Sequence, residues 1–221
     1  MLANREWQIV FSSLPILGKG ALTTVYISLG AMLGALILGL IVALLRISGI
    51  KILNGFARVY VSFFRGTPLL VQLLIFYFGL TSFKIVLDPI PAAYLALILH
   101  FGAYISEIFR ATILSISKGQ WEAAFSLGMT YPQALRRIIL PQATRISIPP
   151  LWNNFIDILK SSSLTSVVTV PELTRAVEEQ SAAQFVFLPY FLTLALFYWV
   201  MVIGMGWVQT WLEKHLTIPS N

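Results

Sequence analysis

The chain has 221 residues, of which 57 % are hydrophobic and only 11 % charged, with 15 Lys and Arg against 9 Asp and Glu and no Cys. A soluble domain carries roughly 25 % charged residues, so this composition excludes a soluble enzyme, and its hydrophobicity excludes a disordered chain. The mean hydropathy of +0.82 and the length instead suit an integral membrane protein with room for about five spans of about 20 residues each.

Five apolar runs follow in chain order. Residues 21–45 carry no charge, and residues 59–80 are interrupted only by Arg65. The third run, 89–110, is uncharged until Glu107 and Arg110. The fourth, 146–170, contains Asp157 and Lys160, and the fifth, 182–212, is uncharged. None reads as a cleaved signal peptide, because the first run is too long for an h-region. The whole chain, 1–221, reads as one transmembrane domain.

The net charge of +6 does not form a patch of the kind that binds nucleic acid. The basic residues sit at the ends of apolar runs and report orientation instead. With the C-terminus inside, nine Lys and Arg fall on cytoplasmic segments and five outside, leaving Arg65 within the second span. The expected topology is N-terminus outside and C-terminus cytoplasmic.

Several features fall within the spans. Gly30 and Gly34 form a Gly-x3-Gly face, which serves helix packing within or between subunits. In the second run, Pro68 removes a backbone donor and disfavours helix at Thr67, so Gly66-Thr67-Pro68 should be kinked or unwound and free backbone groups for a ligand. Arg65 would attract a carboxylate, snorkel to the surface or pair with Glu107. Arg110 is expected to stabilise the Glu107 turn or the long segment that follows it, rather than to touch substrate. In the fourth run, Asn154, Asp157, Ser161 and Thr165 recur every three or four residues and make one polar stripe. The stripe either lines a substrate cavity or only packs against another polar helix, with Asp157 neutralised by Lys160. Outside the spans, residues 171–180 read as a short helix with Pro171 near its start.

The segment 113–145 is too long and too apolar to be a linker. Trp121 to Leu127 are mostly good helix formers, Gly128 suits a left-handed helix end, Thr130 suits an N-cap with Pro132 in the first turn, and Pro141 is expected to end the second helix. Trp121, Phe125 and Met129 would share one apolar face, which on periodicity alone also fits a helix lying on lipid.

The pattern Glu122-Ala123-Ala124-x3-Gly128-x9-Ile138-x-Leu140-Pro141 resembles the EAA loop of binding-protein-dependent ABC importer permeases. Four stretches resemble the polar amino acid branch of that family: Phe64-Arg65-Gly66-Thr67-Pro68-Leu69, Ala103-Tyr104-Ile105-Ser106-Glu107-Ile108-Phe109-Arg110, Lys118-Gly119-Gln120-Trp121-Glu122-Ala123-Ala124, and Ile158-Leu159-Lys160-Ser161-Ser162-Ser163-Leu164. The likeness spans about residues 20–212 and is greatest to permeases for cystine, glutamine, histidine or arginine. It implies an all-α fold of type I importer kind, with five transmembrane helices and a cytoplasmic coupling helix. In that reading Trp121, Glu122, Ala123, Ala124 and Gly128 couple to a separate ATPase, and Arg65, Gly66, Thr67, Pro68, Asn154, Asp157 and Ser161 are substrate-binding residues. The implied partners are a second permease subunit, two ABC ATPases, an extracytoplasmic substrate-binding protein and membrane lipid.

No P-loop is legible, since Gly18-Lys19-Gly20 lacks the following Ser or Thr. The chain is therefore expected to hold no cofactor of its own, with ATP and Mg bound by the ATPase. His100 and His215 are too far apart for a metal site, and no Ser/His/Asp hydrolase constellation is legible. An ABC permease for another small polar solute is one alternative, and a proton-coupled secondary carrier, with Glu107, Asp157 and His100 as a relay, is the rival reading. It has no use for a coupling loop.

Overall fold

A computed structural model describes residues 2–216; the ends of the expected domain, including the C-terminus assigned to the cytoplasm, lie outside the described residues. The described residues are helical with no strand. The helices are α1 (Leu2–Ile47), α2 (Lys51–Gly66), α3 (Leu69–Tyr77), α4 (Pro89–Ser115), α5 (Lys118–Ser126), α6 (Tyr131–Ala134), α7 (Leu140–Ser161), α8 (Leu173–Gln184) and α9 (Leu188–Leu216). Among them α1, α4 and α9 are each long and apolar enough to cross a bilayer. α2 and α3 qualify together as one pair bent by 104°.

The central core joins α1, α3, α4 and α7 through Ile27, Ala35, Leu73, Ala96, Leu97 and Ile158. Small residues make this approach close. A methyl group on Gly30 would stand 2.6 Å from the Tyr94 ring, and one on Gly34 would stand 2.5 Å from Ile98. The Gly-x3-Gly face thus packs α1 on α4 within one chain. A second core, with Val10, Leu17, Leu173, Val177 and Tyr190, ties the first half of α1 to α8 and α9. Most of α9 faces outward, with Trp207 75 % exposed. Water would not tolerate such a surface, but lipid does.

Four expected boundaries need correction. α1 is a 46-residue helix that starts well before residue 21 and accommodates Pro15. The second run is not one span: the chain is extended at Thr67 and Pro68, and the direction changes by 104°. Pro68 forced a break at the expected place but a much larger one than a kink. The fourth run begins at Leu140 and tightens into 3-10 turns over Ser162–Val168. The fifth run starts inside α8. A left-handed Phe185 (φ 53°) ends that helix, and α9 begins at Leu188. The short helix expected over 171–180 is α8, capped by Glu172, whose side chain accepts from the amides of Thr174 and Arg175.

Pro141 does not end a helix. It lies in the first turn of α7, and the chain stays helical from Tyr131 to Ser161. The wide π turn Leu135–Ile139, closed by the Leu140 amide on the Leu135 carbonyl, precedes it. A proline ring collides with the carbonyl four residues back in regular helix. Widening the preceding turn relieves that collision. Further along, Pro149 and Pro150 lie inside α7, where they remove two amide donors.

Candidate functional site

α7 carries its polar residues to one side because Asn154, Asp157 and Ser161 are three and four residues apart on a regular helix. Across from them α4 presents His100, Phe101 and Tyr104, and the 3-10 turns add Ser163 and Leu164. Together these residues line a half-open cavity of about 550 Å³. Thr165, expected on the same stripe, is buried instead and bonds to the Ser162 carbonyl. The tighter 3-10 winding rotates it off the face.

Asp157 and Lys160 form an ion pair at 2.8 Å, with side chains 55 % and 54 % exposed. A pair this open contributes at most about 1 kcal/mol, so a charged ligand can exchange with either member. Asn154 Nδ2 donates to the Pro150 carbonyl at 3.1 Å, which leaves its oxygen as an acceptor. The cavity thus offers one carboxylate, one ammonium and uncharged donors and acceptors in a single bowl. That set matches a zwitterion better than a simple ion or a sugar.

Arg65 neither pairs with Glu107 nor stands free. Its guanidinium carbon lies 5.1 Å from the centre of the Tyr104 ring, a cation–π contact at the rim of the cavity. Glu107 is held instead by Arg46 and by Arg110, the latter at 2.8 Å. Of the two roles expected of Arg110, this is the one at the Glu107 turn.

Gly66, Thr67 and Pro68 line no part of the cavity, but a residue not singled out in the sequence connects them to it. Gln72, buried in α3, donates through Nε2 to the carbonyls of Phe64 and Thr67 at 3.0 and 3.1 Å and to the Thr67 hydroxyl at 2.8 Å. Its oxygen lies 3.1 Å from His100 Nδ1. Because the two hydrogens on the Gln72 nitrogen are shared among three acceptors, the amide oxygen is the atom that faces His100 and accepts, and His100 carries a proton on Nδ1. One amide therefore satisfies the backbone freed by the break and fixes a histidine that lines the cavity. A lone Gln in an apolar run, five residues after Thr67, was the available signal.

The second candidate region is the loop. α5 ends in a Schellman motif: the Gly128 amide donates to Phe125 O at 2.9 Å and the Met129 amide to Ala124 O at 3.1 Å. Gly128 has φ +76°, which a side chain would strain. Thr130 caps α6, with its amide donating to Gln133 Oε1 at 2.8 Å. The expected apolar face divides in two. Trp121 turns inward, stacks on Tyr131 at 5.1 Å and joins a small core with Ile113, Ile116 and Ile139. Ala124 is buried beside it. Glu122, Ala123, Phe125 and Leu127 point outward and are exposed. The inner residues anchor the loop, and the outer ones form a surface with nothing against it in one chain.

Comparison with known proteins agrees with this architecture. Residues 35–218 match the family model described as binding-protein-dependent transport system inner membrane component. The chain is 44 % identical to the L-cystine transport system permease protein TcyB of Bacillus subtilis, over 95 % of this chain and 91 % of that one. It is 36 % identical to the glutamine transport system permease protein GlnP of Escherichia coli, over 96 % and 98 % of the two chains. A chain in the crystal structure of an amino acid ABC transporter with histidines superposes with a TM-score of 0.89 at 35 % identity, covering 94 % of this chain and 97 % of that one. A chain of the inward-facing MetNI methionine ABC transporter shares the fold, with a TM-score of 0.71. The fold is that of type I ABC importer permeases. The chain belongs to the binding-protein-dependent transport system inner membrane components: it is the permease subunit of an ABC importer, a transport subunit whose ATP is hydrolysed by a separate subunit.

Proposed function

We propose that this permease moves a polar amino acid into the cytoplasm, and that the 550 Å³ cavity around Asp157 is where the amino acid rests. The observation that carries the reading is the open Asp157–Lys160 pair, with Asn154 and Ser161 beside it. The carboxylate of Asp157 takes the ammonium of the ligand, and Lys160 or Arg65 takes its carboxylate. Gly66, Thr67 and Pro68 act at one remove, through Gln72 and His100. Relatives named for cystine and glutamine transport support the substrate class.

The chain crosses the membrane five times in this reading: by α1, by the bent pair α2–α3, by α4, by α7 with its 3-10 extension, and by α9. Its N-terminus is outside and its C-terminus cytoplasmic, in line with the distribution of Lys and Arg. The coupling loop faces the cytoplasm, where Glu122, Ala123 and the ridge of Phe125 and Leu127 dock on an ATPase. Trp121, Ala124 and Gly128 hold that face in shape. A second permease, identical or paralogous, completes the pathway, with two ATPases and an extracytoplasmic binding protein. ATP and Mg are bound by the ATPases, and this chain needs no cofactor.

Glu122→Arg and Gly128→Trp test the coupling. In reconstituted complexes both should abolish uptake and the ATPase activity stimulated by the binding protein, while the permease stays in the membrane. Full stimulated hydrolysis and uptake in both variants would remove the loop from the mechanism.

A further inference from the structure

A second cavity, of about 430 Å³, opens where the ends of α1 and α4 meet the loop. Arg46, Arg110 and Lys118 supply its charge, and Leu114, Trp121 and Tyr131 supply much of its apolar wall. The charge is not balanced. One carboxylate, Glu107, serves both Arg46 and Arg110, and Lys118 makes no ion pair among the described residues. Arg58 and Arg65 are within electrostatic reach of Arg46 and add to the surplus. A half-enclosed, partly apolar cavity with excess positive charge attracts an anion strongly, because solvent screens it poorly.

The wall says what kind of anion. Leu114 is 62 % exposed at the rim, and Ile47 and Ile113 continue the apolar side. Arg46 lies in the last turn of α1, a helix long and apolar enough to span the bilayer. That places the cations at headgroup depth. Stacked Trp121 and Tyr131 are of the residue types that favour the same depth. A small soluble anion gains nothing from such a wall, whereas a lipid uses both parts of it.

We infer that this cavity binds the phosphate of an anionic glycerophospholipid from the adjoining leaflet. The headgroup sits among Arg46, Arg110 and Lys118, and the acyl chains leave over Leu114. Basic pockets between membrane helices hold anionic headgroups in this way. Because Trp121 and Tyr131 are loop residues, the bound lipid braces the loop against the bundle. The inference requires only that α1 and α4 cross the bilayer, so it stands or falls separately from the amino acid cavity.

The test uses the complete transporter in nanodiscs of phosphatidylcholine with and without phosphatidylglycerol, with native mass spectrometry of the lipid retained. Wild type should retain phosphatidylglycerol in preference to phosphatidylcholine. Lys118→Gln should lower that retention about fivefold, the effect of one interfacial cation, and Arg110→Gln should lower it at least as much. Lys214→Gln, an exposed basic residue on α9, should leave it unchanged. Equal retention in wild type and Lys118→Gln would overturn the proposal. Binding of glycerol 3-phosphate to the transporter, with no preference for phosphatidylglycerol over phosphatidylcholine, would overturn it in favour of a soluble phosphate ligand. No preference in the complete transporter, with preference restored only when the ATPase is stripped off, would overturn it and assign the cations to a carboxylate of that subunit.

Discussion

Two carboxylates on neighbouring elements, Glu172 and Asp157, are treated in opposite ways. Glu172 is fully buried. It accepts from the amides of Thr174 and Arg175 at 2.9 and 2.8 Å and from the Tyr198 hydroxyl at 3.1 Å, with the Thr24 hydroxyl at 3.4 Å. These bonds fasten α8 to α1 and α9. Asp157 is half exposed and has one ion-pair partner, three residues along its own helix. A carboxylate whose bonding capacity is filled inside the protein is a fastener. One left with open lone pairs beside a cavity is available to a ligand. Burial and bonding, not acidity or sequence position, distinguish the two carboxylates.

The comparison breaks most severely at Glu172. Glu172→Leu leaves the α8 amides without their cap and the Tyr198 hydroxyl without its acceptor in a dry interior. The cost should be about 3 kcal/mol or more, read as loss of folded permease from membrane fractions. Normal yield and thermal stability would show that the cluster is not a fastener. Asp157→Asn should have the converse outcome: yield and basal ATPase activity are retained while uptake falls, more for cationic than for neutral amino acids. If the ion pair with Lys160 is all that matters, Asp157→Leu with Lys160→Leu should preserve uptake. Unchanged uptake kinetics in Asp157→Asn would leave only packing for this residue.

The smallest effect sharpens the comparison through pH. Glu172 lies outside the helices that qualify as spans. Burial pushes its carboxyl above the ordinary glutamate range, while the amides of Thr174 and Arg175 and the Tyr198 hydroxyl pull it down. The folded state then binds this proton more tightly than the unfolded chain does. Its contribution to stability is full below the ordinary glutamate value and is lost as pH rises through the raised folded value. Glu172→Gln keeps the bulk and removes the titration, so it should flatten the fall in melting temperature with rising pH. An unchanged profile would assign that dependence to other groups.

The parts of this fold that could be read from the sequence are those governed by chemistry within a few residues. Gly128 and Thr130 marked the loop turn because a left-handed end and an N-cap each demand particular side chains. Gly66-Thr67-Pro68 marked the break for the same reason, but its angle is set by how α3 packs on α4, which no local pattern encodes. Pro141 misled because a proline in the first turn of one helix looks the same as a proline ending another. The α8–α9 boundary was hidden because the left-handed residue is Phe185, not Gly or Asn. Pro189, second in α9, was the overlooked start signal. Spacing along α7 grouped Asn154, Asp157 and Ser161 correctly but wrongly added Thr165, since the winding changes after Ser161. Gln72 on His100, Arg65 on Tyr104, and Glu107 on Arg46 are contacts made across the bundle. Their partners are distant in sequence and carry no periodic trace.

The proline pair in α7 carries a mechanical consequence. Helical geometry from Tyr131 to Ser161 makes a rod of roughly 45 Å, at about 1.5 Å per residue. One end carries the loop and the other carries Asp157. Pro149 and Pro150 lie past its midpoint, where missing amides weaken the lattice that resists bending. A uniform rod would pass a push straight through. A jointed one would let its two arms bend separately. In the function proposed above, the loop arm would then follow a docked ATPase while the other arm stays with the bound amino acid.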